Sequence, residues 1–158
     1  MLPAPLTHMH LHPFARAVLL DAFAAAEANG YHPHAEPGDD YVRVSAGVDH
    51  DTAVYVHPRE FSIALDAQLA AVVCRERPAA FRLEAKSATT GYVHVAYFDN
   101  EAVRWFVTEL VSTALDRSRA AGPHARHGRG PSKPEAPVEL CPTHNLELAN
   151  GTCWGCDD

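Results

Sequence analysis

Four residues near the C-terminal end, Cys141, His144, Cys153 and Cys156, are the part of this sequence best suited to chemistry. They form the pattern C-x2-H-x8-C-x2-C. A two-residue gap lets both ligands of a pair project from one tight turn onto a single ion. Thiolate and imidazole are the donors zinc favours, and four of them complete a tetrahedral shell. A complete shell leaves no position for a reactive water, so the expected site is structural, with one Zn2+ per chain. Between the ligand pairs, Leu146 and Leu148 flank Glu147 as a short strand, and Thr152 starts a return strand. Asn150-Gly151 is a hairpin-turn signal that would bring the second pair back to the first. A piece of eighteen residues cannot build a core. Metal must therefore supply its folding free energy, on the order of ten kcal/mol. A disulfide, or a tail with chance cysteines, is the alternative. Cys74, the remaining cysteine, lies in an apolar helical pattern and is expected to be a buried thiol.

This tail resembles a minimal zinc ribbon. It is also similar to the Cys-Pro-x-His … Cys-x-x-Cys endings of many small proteins of actinobacteria and their phages. The resemblance spans about a ninth of the chain. It implies a zinc module that serves nucleic-acid or protein binding, and no activity. Trp154 stands between two ligands in a module too small to bury an indole, so it is expected to contact a partner or the rest of the chain.

Residues 120–139 hold three Gly and four Pro and no apolar periodicity, which describes a flexible linker. The charge is uneven: residues 1–116 sum to −7, 117–133 to +5 and 134–158 to −5. Arg126, Arg129 and Lys133 of the basic stretch can contact phosphates or a protein partner without sequence preference. A linker kept soluble by its charge is the alternative.

The elements ahead of the linker must form the main domain. Residues 13–29 predict a helix, with Pro13 in the first turn and Asn29-Gly30 as its stop. Strands are expected over 41–44, 52–56 and 61–65, with a loop over 32–40. A helix follows over 67–77, capped by Asp66, with Leu69, Val72 and Val73 on its inner side. Strands over 81–86 and 92–98 and a helix over 101–119 complete the order. The result is an α+β domain over 13–119 with an antiparallel five-stranded sheet and three helices (α-β-β-β-α-β-β-α). Residues 1–12 are expected to be an exposed extension, and 140–158 the zinc ribbon. The passage from Phe61 to Leu115 resembles the small YjbR-like α+β domains in element order and in the phrase Ser62-Ile63-Ala64-Leu65-Asp66.

Other residues bear on function less directly. His8, His10 and His12 alternate, but no carboxylate completes a metal site there. His50, His57 and His94, with Asp49, Asp51, Tyr55 and Glu60, could line a pocket, and histidine can act as a general base. No nucleophile or phosphate-loop motif accompanies them. Tyr31, Tyr41, Tyr55, Tyr92, Phe98 and Trp105 could form an exposed aromatic surface, but most are expected to be core. No apolar run is long enough to span a membrane, and no basic-apolar leader opens the chain, so a cytoplasmic protein is expected. The expectation is a non-enzymatic zinc-binding adaptor with a protein partner, and with nucleic acid as a second partner through linker and ribbon. An inhibitor of a host nucleic-acid system of phage type, or a small enzyme using the sheet histidines, is the alternative.

Overall fold

A computed structural model describes residues 1–98 and 100–124. The expected zinc ligands Cys141, His144, Cys153 and Cys156 lie outside the described residues, as do Trp154, Arg126, Arg129 and Lys133. The described chain runs α1 (Ala4–His8), α2 (Pro13–Ala28), β1 (His34–Pro37), β2 (Val42–Ser45), β3 (Thr52–Val56), β4 (Glu60–Asp66), α3 (Ala67–Glu76), β5 (Phe81–Ala85), β6 (Thr90–Ala96) and α4 (Glu101–Ala121). The class is α+β with an antiparallel sheet, in the order β1-β2-β3-β4-β6-β5. Six strands and four helices replace the expected five and three.

Both additions have a physical reason. The stretch read as a loop contains β1, an edge strand that buries only Ala35 and tolerates Pro37 because no further strand needs its N–H. The stretch read as an exposed extension contains α1, which packs against β1 and buries Leu6, and Leu2 just ahead of it is buried too. His8 ends α1, while His12 caps α2, its Nδ1 accepting from the Phe14 N–H at 3.1 Å. His8 and His12 therefore belong to the ends of two helices and not to one strand.

Side-chain parity divides the sheet. Phe61, Ile63 and Leu65 of β4, with Val93 and Val95 of β6 and Val54 and Val56 of β3, enter one core with α2 and α4. Asp66 caps α3 by accepting from the Gln68 and Leu69 N–H groups. Its buried side is Ala70, Val73 and Cys74, one position on from the stripe expected. Leu69 is left 36% exposed. The helix sits close because Gly91 has no side chain; a Cβ there would stand 2.8 Å from the Ala70 Cβ. Burial pushes the Cys74 thiol up, which leaves it an inert apolar group. Asn100 caps α4 by accepting from Ala102 and Val103 N–H, and α4 continues through Ala120 and Ala121 to Gly122.

Beyond α4 the chain is tied back to the sheet. Pro123 bridges His50, the His124 N–H donates to the Asp49 carbonyl at 2.7 Å, and the His124 ring bonds the Asp51 carboxylate. The Asp51 carboxylate, first by hydrogen bond and then by charge, raises the His124 pKa above the ordinary 6.5. The charged pair thus favours the folded state below pH 6.5, and that contribution is lost as pH rises through the raised value. We expect the His124 ring to titrate above 6.5 by NMR, and to return to the ordinary range in Asp51→Asn. An unchanged midpoint in the variant would contradict the contact.

Candidate functional site

The sheet face opposite the core carries no helix among the described residues. One row of cross-strand neighbours runs across all six strands there: Glu36, Arg43, Tyr55, Ser62, His94 and Arg82. A second row places Ala64, Tyr92 and Glu84 side by side. Glu60 lies on the same face one position beyond Ser62.

Aromatic rings cover the middle of this face. Tyr41 meets Tyr55 edge-on at 5.4 Å between centroids, and Tyr55 meets Tyr92 edge-on at 5.9 Å. His57 lies 5.7 Å from Tyr41 and 6.5 Å from Tyr55, and His94 lies 6.5 Å from Tyr92. Gly38 makes room for the Tyr41 ring, since any Cβ there would overlap it. All five rings are half-buried. Burial, and then the neighbouring Tyr55, push the Tyr92 hydroxyl up to about 12, so it stays protonated and able to donate. The expectation that the tyrosines are mostly core is corrected here: they cap the outer face of the sheet. Tyr31 is elsewhere, its hydroxyl donating to Asp116 at 2.9 Å beneath the Arg119 guanidinium. Trp105 projects from α4 with 66% exposure.

Beside the tyrosines lies a polar relay. Ser62 Oγ is 2.8 Å from His94 Nδ1, and His94 Nε2 is 2.6 Å from Glu84 Oε2. Glu60 stands 3.8 Å from His94 Nδ1. If the ring donates Nε2–H to Glu84, Nδ1 accepts from the serine hydroxyl, and every polar group is satisfied. The same three residue types activate nucleophilic serines. Here Ser62 is only 5% exposed and sits in mid-strand, paired with Tyr55 on one side and His94 on the other. Its backbone is committed to the sheet rather than to an oxyanion. The relay ties β4, β6 and β5 together on this face.

His57, His94, Tyr55 and Glu60 of the expected pocket do share this face. His50 does not: it sits in the β2–β3 connection with Asp49, its Nδ1 3.1 Å from the Val48 carbonyl. Ser62, Glu84 and Arg43 were not foreseen. Arg43 pairs with Glu36 at 3.0 Å, and its buried Nε has no hydrogen-bond partner among the described residues. At the rim, Asp51, Thr52, Lys86, Thr90 and Arg117 enclose with Tyr55 and Tyr92 a shallow cleft of about 280 Å3. Arg117 is held there by Thr89 and Thr90.

Fold and face together define an α+β domain with one helix-covered and one aromatic sheet surface. Compared with known proteins, the chain matches no family model, no curated protein and no solved structure. No group of three or more His, Cys, Asp or Glu among the described residues is placed to hold a metal ion. No described helix is long and apolar enough to cross a membrane.

Proposed function

We propose that this chain is a non-enzymatic adaptor, acting in the cytoplasm, that binds a protein partner across the open face of its sheet. The carrying observation is the aromatic strip Tyr41–Tyr55–Tyr92 with His57 and His94, half-buried on a face without a helix. Tyrosine and arginine dominate the energetics of protein interfaces because rigid rings and planar guanidinium groups bury much area at little entropic cost. Charges on the face alternate, Glu36 and Arg43, then Glu60, Arg82 and Glu84. A phosphate backbone would call for a uniformly basic surface, so a protein fits this face better.

Nucleic acid belongs in this reading to the other end of the chain, through Arg126, Arg129 and Lys133 and a zinc ribbon on Cys141, His144, Cys153 and Cys156. The support for that part is the ligand spacing and the local +5 charge of the sequence. A YjbR-like kinship of the 61–115 passage is proposed on the order β4-α3-β5-β6-α4.

The test is capture from the native cell with the full chain, followed by reconstitution of the captured protein from pure components. Tyr55→Ala with Tyr92→Ala should weaken that complex by about 2 kcal/mol or more, roughly thirtyfold. Trp105→Ala, on the helical side, should leave it unchanged. A reconstituted complex indifferent to the tyrosines would overturn the assignment.

A further inference from the structure

The two edges of the sheet differ in a way that points to a second copy of this chain. β1 is four residues long and contains Pro37. β5 is five residues of regular ladder with no proline, no lysine and no register shift, and none of the described strands pairs with its outer side. Natural sheets protect such an edge, and here the protection is limited to its shortness and the charges of Arg82 and Glu84. The Lys86 N–H donates to the Thr90 carbonyl at 3.1 Å, so even-numbered residues of this strand turn their backbone groups toward β6. Leu83 and Ala85 therefore turn theirs outward, together with the Phe81 carbonyl. The Phe81 N–H is already donated to Arg77.

We infer that β5 is the interface of a homodimer, in which two β5 strands pair antiparallel about Leu83 and join two sheets into one. The sequence of this edge is self-complementary. A two-fold axis at Leu83 makes Leu83 bond its own copy through both N–H and C=O. The same axis puts Arg82 of each protomer opposite Glu84 of the other. Those positions are the non-hydrogen-bonded pairs, where facing side chains stand closest. Both side chains reach solvent, Arg82 at 71% and Glu84 at 60% exposure, although within the protomer Arg82 lies 3.7 Å from Glu60 and Glu84 bonds His94. On the helical side, Leu83 is 43% exposed although its strand neighbour across β6 is the fully buried Val93. Leu69 of α3, the helix packed on β5, adds a second exposed leucine. Two-fold pairing covers Leu83 with its copy. The interface is small, so the dimer should form in the micromolar range rather than be obligate. This inference rests on the edge of β5 and not on the partner proposed for the open face, although Arg82 and Glu84 lie on that face.

Sedimentation equilibrium of the full chain decides it. The wild type should approach twice the 17.2 kDa chain mass as concentration rises. Arg82→Glu alone and Glu84→Arg alone should each weaken association at least tenfold, since like charges then face each other. An equimolar mixture of the two variants should regain the dimer mass, because each charge again meets its opposite. Leu83→Pro, which removes an outward N–H and no bond to β6, should also be monomeric, with circular dichroism confirming the fold of each variant. A wild type that stays monomeric, including because another segment occupies the edge, overturns the proposal. So does a dimer that both charge variants leave intact, or a mixture that fails to associate.

Discussion

Replacing Phe61 with alanine should destabilise the domain by about 3–5 kcal/mol, the range for removing a buried phenyl ring. Phe61 is the largest fully buried side chain among the described residues. It stands between Val56 of β3 and Val95 of β6 across the ladder, and its ring meets Tyr97 edge-on at 4.9 Å. Tyr97 is held in turn by donating to the carbonyls of His57 and Glu60. The lost ring therefore leaves a cavity whose walls are paired strands and a tethered tyrosine, which cannot collapse to fill it. Against a total stability of about 5–15 kcal/mol, most of the margin would go. Phe61→Leu should cost much less, and Trp105→Ala, on the surface, within about 0.5 kcal/mol. Thermal unfolding followed by circular dichroism measures all three. A Phe61→Ala loss no larger than that of Trp105→Ala would place the core elsewhere.

Freshly purified full-length chain should carry about one zinc, and Cys153→Ser or Cys156→Ser should abolish it. Binding free energy in such a module is folding free energy, on the order of ten kcal/mol, so removing the ion should unfold the module outright. Trp154 supplies the readout. In a Trp105→Phe background it is the only indole in the chain, and a strong chelator should shift its emission. Chelation should leave the Cys74 environment untouched, since that thiol is buried in the main core. Protein purified without chelator that holds no zinc, or an emission spectrum indifferent to chelation, would remove the metal from this account.

Much of the fold was legible because local chemistry repeats. Asp66 announces the start of α3, Asp99 and Asn100 are both fit to cap α4 with Asn100 the one that does, and the Phe61-Ile63-Leu65 alternation announces β4. The exceptions are short or marginal. Five residues of α1 offer one buried position, Leu6, too few for a helical period. In β1 only Ala35 is buried, so no alternation marks it. The candidate site was harder to read. His94 was visible as a titratable residue, but its partners Ser62 and Glu84 come from strands 32 and 10 residues away. Register decides those pairs, and register is a property of the assembled sheet. The tyrosines misled for a related reason: a half-buried ring on an uncovered face looks, in one dimension, like a ring in a core.

The contrast between β1 and β5 also limits how large an assembly this chain can make. A subunit with two open edges is bivalent and can grow without end into a fibre. With Pro37 at one margin and α1 packed against that same strand, the described part of the proposed dimer would offer no second regular open edge. In such a pair growth through sheet edges would stop at two, because the hydrogen-bonding capacity that makes an edge strand hazardous is used up in closing it.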